Sequence, residues 1–301
     1  MNVMRAACGR PLCFEGGKRK AMRLFVRILV LSVLTCGVLG SVCHADSTKA
    51  IQIRRLTIES DNLPQRYRRQ VERDFEGSSY EGASYSVAEE VGERIRAALR
   101  DLGYFEAAAD EPKMSFVASG RRRLVADVWV RVKEGAQYRL GEIEFKNAKL
   151  FPAARMRAAF NLQEGDLYNA TKFGAGLEHL MRLYVNAGYV NFVEIPEPIT
   201  DESRHVIDWT IDVDEGWAFD FGRLILDGPE PYAGAGSALL ASWNTLEGKR
   251  YSPDLLQQWL MTNRAYWQKS LGGSDPTNSL PNPDSHVVNV RLSFPGDPTS
   301  N

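Results

Sequence analysis

The chain has 301 residues, 44% hydrophobic and 25% charged, an ordinary balance for a globular protein. The first 45 residues hold seven basic side chains and one acid. They carry +6 of a total of −1, so the remainder is near −7, which argues against general nucleic-acid binding. All four cysteines (Cys8, Cys13, Cys36, Cys43) fall in that leader, so the rest of the chain must hold together by packing, without disulfides.

Residues 1–45 read as a signal peptide. A basic stretch ending at Arg23 and Arg27 meets an apolar run, Leu24 to Gly40, and small residues at Cys43 and Ala45 place cleavage before Asp46. The alternative is an uncleaved anchor helix, for which a run of about 17 residues is short.

A first module is expected over residues 50–136. Leu56 and Ile58 mark a strand, Pro64 to Phe75 a helix with a basic wet side (Arg66, Arg68, Arg69, Arg73), and Ser86-Val87-Ala88-Glu89 a capping box. Val91, Ile95, Leu99 and Leu102 continue at helical spacing to Gly103. Strands from Tyr104 and from Leu124 to Val132 then form a hairpin around Gly120 to Arg123. The run Arg121-Arg122-Arg123 reads as its solvated tip, with anionic lipid heads or an acidic partner as the alternative contact.

A second module is expected over residues 137–217. Gly141 to Phe145 alternates as a strand, Pro152 opens a short helix, and Gly165-Asp166-Leu167-Tyr168 breaks it. A longer helix from Asn169 places Phe173, Leu177, Leu180 and Tyr184 on one face. Gly188-Tyr189-Val190 ends it and opens a strand, and Val206 to Val213 is the last strand.

A third module, degenerate, is expected over residues 218–295. It has a strand from Phe221 to Leu226, helices over Ala238 to Trp243 and from Ser252-Pro253, and a final strand from Val287 to Phe294. Gly273 to Ser285 reads as loop, so the middle strand is expected to be missing and this module to show the least hydrogen-exchange protection.

The three modules share markers. Gly165-x-x-Tyr168 is matched with Gly82-x-x-Tyr85 and Gly248-x-x-Tyr251, the tyrosines 83 residues apart. Val132-Lys133-Glu134-Gly135 with Leu140-Gly141 recurs 81 residues later as Val213-Asp214-Glu215-Gly216 with Phe221-Gly222. Gly103-Tyr104-Phe105 matches Gly188-Tyr189-Val190. Markers in one order at one period predict tandem copies of one βααββ unit. The fold class is therefore α+β, each unit a three-stranded mixed sheet covered by two helices. The tyrosines read as staples over the core rather than as contact aromatics.

No catalytic constellation emerges. His179 lies on a helix and His205 and His286 begin strands. Gly174-Ala175-Gly176 lies inside a helix and is not a phosphate loop. No catalytic residue, cofactor or metal is assigned; an enzyme would have only the loop Gly273 to Ser285 to line a cleft.

On the Gly-Tyr-Phe and Gly-Tyr-Val junctions, Lys133-Glu134-Gly135, Asp214-Glu215-Gly216 and Glu164-Gly165-Asp166, the unit resembles the polypeptide-transport-associated (POTRA) domain, over about Ala50 to Phe294. The resemblance implies a periplasmic, non-enzymatic scaffold for outer-membrane protein assembly or protein transport. Implied partners are unfolded outer-membrane or secreted polypeptides and accessory envelope proteins, a separately encoded β-barrel among them, with any membrane association peripheral. No run of ten-residue alternating segments of the barrel type occurs in the sequence. A membrane-anchored division-type POTRA protein is the alternative.

In a unit of this family the last strand is central, so the middle strand has a free edge. In the second module that edge is expected over Tyr189, Val190, Asn191, Phe192, Val193, Glu194 and Ile195, with Pro196 ending it. Client strands would bind there by β-augmentation.

Overall fold

The computed structural model describes residues 50–120, 123–230, 233–267 and 277–294. The expectations for the leader, for Arg121 and Arg122, for Gly273 to Pro276 of the expected loop and for Pro295 fall outside the described residues.

Three sheets follow one another along the chain. The first module comprises β1 (Ala50–Glu59), α1 (Gln65–Phe75), β2 (Ser79–Tyr80), α2 (Ser84–Asp101), β3 (Ala108–Ala109), β4 (Lys113–Ser119) and β5 (Arg123–Lys133). The second comprises β6 (Arg139–Lys146), α3 (Ala153–Arg157), α4 (Ala170–Asn186), β7 (Val193–Asp201) and β8 (Val206–Asp214). The third comprises β9 (Asp220–Asp227), α5 (Ala235–Trp243), α6 (Pro253–Thr262), β10 (Thr277–Asn282) and β11 (Val287–Ser293). In each sheet the last strand is central. It runs parallel to the first strand and antiparallel to the middle one.

Period-two alternation on the central strands decides which face is covered. Ala126, Val128, Val130 and Val132 of β5 are buried under the helices, as are Ile207, Trp209, Ile211 and Val213 of β8 and Val288, Val290 and Leu292 of β11. Each such aliphatic contributes about 1.5–3 kcal/mol when fully buried. The alternate residues lie on the opposite, helix-free face of each sheet.

The repeated markers have structural causes. At Gly141 and Gly222 the first strand bulges. Across the bulge, Asp208 Oδ1 accepts from Glu142 N and Asn289 Oδ1 accepts from Arg223 N, both at 2.8 Å. A Cβ on either glycine would collide with that side-chain oxygen, so the bulge and its cap require glycine there. The glutamate of the Val-x-Glu-Gly marker reaches back to cap the loop after the first strand. Glu134 accepts from Ser60 Oγ and Asn62 N, and Glu215 from Lys149 N, Leu150 N and Tyr184 OH.

The tyrosine marker is differently aligned from the sequence reading. Gly77, Gly165 and Gly248 all have positive φ (84°, 83°, 77°), and each N–H donates to a first-strand carbonyl, of Ile53, Leu140 and Phe221. The shared motif is therefore Glu-Gly-x-x-Tyr, ending in Tyr80, Tyr168 and Tyr251, which are 4%, 3% and 5% exposed. Tyr85 is 69% exposed and belongs to α2. Five extra residues, Glu81 to Tyr85, nearly repeat Glu76 to Tyr80 and created the false match. For the same reason the capping box at Ser86 does not form. Helix α2 starts at Ser84, and its N-cap Ala83 has no side-chain acceptor. Asn169 and Ser252 do cap, accepting from Lys172 N and Leu255 N.

The third module has its middle strand. Residues Thr277 to Asn282 pair in register with Leu292 to Val287, which overturns the loop assigned there and the reason for expecting weaker protection. His205 and His286 do not begin strands. They occupy left-handed turn positions (φ 50° and 51°), and their carbonyls accept from Arg139 N and Asp220 N. No helix among the described residues is long and apolar enough to cross a membrane.

Candidate functional site

Strand β7 is an edge of the second sheet: among the described residues, β8 is the strand that pairs with it. It begins at Val193, four residues later than the sequence reading placed it, and runs through Pro196 and Pro198 to Asp201. Of the seven predicted edge residues, only Val193, Glu194 and Ile195 lie in the strand.

The other four are held elsewhere. Gly188 (φ +93°) ends α4, and Tyr189 N donates back to Tyr184 O at 3.0 Å. Phe192 N donates to Tyr189 O, and the buried Phe192 ring stacks on Tyr184 at 4.1 Å. Tyr189 packs on the core of its own module and Val190 on that of the third. Asn191 sits in the turn and approaches Gly216.

The two prolines fix the polarity of the β7 edge. Proline has no N–H, so Pro196 and Pro198 occupy positions whose backbone points away from β8. By alternation the outward set is Glu194, Pro196, Pro198 and Thr200. Their carbonyls give four outward acceptors, but the only outward N–H groups are those of Thr200 and of Glu194, the latter shared with its own carboxylate. On the helix-free face, Val193, Ile195 and Ile199 project side chains that are 51%, 41% and 58% exposed. Burial raises the Glu194 pKa, against the opposing effect of a hydrogen bond from its own backbone N–H.

A second site type is the junction between modules, built twice on one plan. The glycine carbonyl of Gly103 accepts from Tyr138 N, and that of Gly188 from Phe219 N, both at 2.8 Å. The third residue of each Gly-Tyr-apolar marker enters the next module. Phe105 meets Tyr138, Tyr168 and Trp209 edge-on at 6.4, 5.5 and 6.1 Å, and Val190 joins the third cluster. The last helical residue of one module also receives hydrogen bonds from the start of a helix in the next. Asp101 accepts from Thr171 N and Thr171 Oγ1 (2.7 and 2.8 Å), and Asn186 from Ser252 Oγ and Asp254 N (2.8 and 3.1 Å). Gln137 Nε2 donates to Leu102 O at 2.7 Å. The marker was legible in the sequence; its use as an intermodule joint was not.

No group of three or more His, Cys, Asp or Glu residues that could hold a metal ion occurs among the described residues. The arrangement presents backbone edges and sheet faces.

Comparison with known proteins finds one family model over the second module. The POTRA family model, described as "Surface antigen variable number repeat", matches residues 138–216. Two curated relatives are called outer membrane protein assembly factor BamA. That of Neisseria meningitidis serogroup B is 25% identical over 127 residues, covering 39% of this chain and 15% of its own length. That of Buchnera aphidicola is 23% identical over 156 residues, covering 52% of this chain and 24% of its own length. The chain thus matches less than a quarter of either relative. A crystal structure of Haemophilus influenzae BamA POTRA3-5 superposes with a TM-score of 0.61 at 16% identity, covering 86% of this chain and all of that one. Residues 138–216 thus match the POTRA family model, and the fold of the chain is that of tandem POTRA domains.

Proposed function

We propose that this chain is a non-enzymatic scaffold of the periplasm, associated with outer-membrane protein assembly or secretion, and that it holds client polypeptides by β-augmentation on the outer edge of β7. Three modules, over residues 50–136, 137–217 and 218–295, follow a signal peptide over residues 1–45. The relatives named for outer-membrane assembly support the process, and the tandem POTRA fold supports the scaffold. Clients are unfolded outer-membrane or secreted chains, and accessory envelope proteins share the scaffold.

The observation that carries the binding mode is the unpaired edge from Glu194 to Thr200. Its four carbonyls accept N–H groups from an incoming strand whatever the client's side chains. Its missing donors at Pro196 and Pro198 keep the pairing incomplete and reversible, and so guard the edge against permanent strand addition.

The reading is tested from both sides. Pro196→Thr with Pro198→Thr restores two outward donors. At about 1 kcal/mol net per hydrogen bond, binding of a labelled ten-residue barrel-strand peptide is expected to tighten roughly 10- to 30-fold. Glu194→Pro removes an outward donor and is expected to weaken binding several-fold while the melting temperature barely moves. Unchanged peptide affinity in both variants, with both folded, excludes this edge.

A further inference from the structure

We propose that the chain self-associates, with the helix-free sheet face of the first module of one copy seated on the helix-free sheet face of the second module of another. This does not rest on the client-edge reading, which uses the outward backbone of β7 rather than the side chains of its face.

Strand register defines the two faces. In the second sheet, Glu144 of β6 pairs with Thr210 and Lys146 with Asp212. Val193, Ile195, Glu197 and Ile199 of β7 pair with Asp214, Asp212, Thr210 and Asp208. These residues alternate with the buried ones and so share the uncovered face. It carries five carboxylates (Glu144, Glu197, Asp208, Asp212, Asp214) against two cations: Lys146, which already lies 3.4 Å from Glu144, and Arg139 at the start of β6, which donates to the Gly165 carbonyl. Beside the acids runs the exposed aliphatic row Val193, Ile195 and Ile199.

The first sheet is the opposite. Its uncovered face carries Arg55, Lys113, Arg131 and Lys133, joined by Arg54 from the bulge, against Glu59 and Asp127. Arg54 is paired with Asp127 at 2.5 Å. At its centre lies Trp129, with Lys113 Nζ 5.2 Å from the ring centroid. A basic face around an indole thus complements an acidic face flanked by an aliphatic row. Both faces are left without a covering helix, and each carries apolar side chains among its charges. Opposed charge steers such faces together and fixes their register, while the apolar side chains supply the contact.

Size sets the strength. Three strands by six residues cover on the order of 300 Å² from strand spacing and rise. That is less than half of the roughly 800 Å² per partner of a standard interface. One contact is therefore weak, and assembly depends on concentration. Because the two faces differ, the contact is head-to-tail unless two chains make it reciprocally.

The test is sedimentation velocity on the mature chain. At about 20 mM salt the mass is expected to rise above one chain as concentration approaches about 500 µM, a range suited to a Kd near 100 µM. It should return to one chain at about 500 mM salt, where screening shortens to a few ångströms. Lys113→Glu with Lys133→Glu, and separately Glu144→Lys with Glu197→Lys, should each abolish association, while their equimolar mixture should restore it between the two unlike proteins. Circular dichroism checks folding, and Glu144→Gln with Glu197→Gln serves if charge reversal unfolds the sheet. A wild-type chain that stays single at low salt and about 500 µM overturns the proposal. So does association that survives both reversals or that high salt does not disperse.

Discussion

Alanine at Gly188 is expected to destabilise the protein by about 3 kcal/mol or more, against about 1–2 kcal/mol at Gly165. Both residues sit in the left-handed region, at φ +93° and +83°. There a side chain alone costs roughly 1–2 kcal/mol. At Gly165 nothing lies within 4 Å of the new methyl group, so the cost stops there. At Gly188 the methyl carbon would lie 2.8 Å from the Phe219 carbonyl oxygen and collide with the Arg250 side chain. Arg250 can swing away, but Phe219 cannot withdraw without breaking its N–H bond to the Gly188 carbonyl. Gly103→Ala is expected to fall between, because its nearest neighbours are the flexible ends of Leu167 and Gln137. Denaturant unfolding gives the order, and limited proteolysis near residues 216–218 reports whether the joint has opened. Equal losses at Gly188 and Gly165 would mean that the junction is loose and that the modules do not lean on one another there.

That joint also shows how far the sequence could be read. The order of elements, the central last strand and the two capping residues Asn169 and Ser252 follow from periodicity and local chemistry, which act within a few residues. What the sequence reading lost was non-local. Gly82-x-x-Tyr85 fitted the period, yet the bulged first strand selects Gly77, because only that glycine donates to Ile53. Strand β10 hides its pattern because an edge strand tolerates the asparagines and proline that read as turn. Tyr189 to Phe192 looked like a strand because aromatic and β-branched residues favour one. Their side chains are instead drawn into two cores at the junction.

The candidate edge was legible as an edge but not in its polarity. Pro196 was read as the end of the strand. The presence of Pro198 two residues later is the signal that was missed: two prolines at one parity define a strand whose outward side has lost its donors. The acidic and basic sheet faces were likewise invisible, since their members lie on strands far apart in the chain and meet only through register.

Removing the loop-capping glutamates is expected to cost about 2–4 kcal/mol each and to remove part of the protein's acid sensitivity. For both carboxyls burial pushes the pKa up, but hydrogen bonds to the charged form outweigh it and the net shift is downward. For Glu134 these come from Ser60, from its own backbone N–H and from Asn62; for Glu215, from Leu150, Lys149 and Tyr184. A carboxyl whose folded pKa lies below its unfolded value, near 4.3, stabilises the fold above that value. The contribution disappears as pH falls through the folded pKa, so the loss belongs to the acid side of about pH 4.3. Glu215→Ala strands the N–H groups of Lys149 and Leu150, at about 1–3 kcal/mol for each donor left without a partner. Glu215→Gln keeps an acceptor and gives up only the charge, so it should cost about half as much. The double variant Glu134→Gln with Glu215→Gln should show a flatter loss of stability than the native chain between about pH 5 and pH 3. Parallel stability curves for the two proteins over that interval would show that these carboxylates are not held in their charged form by the loops they cap.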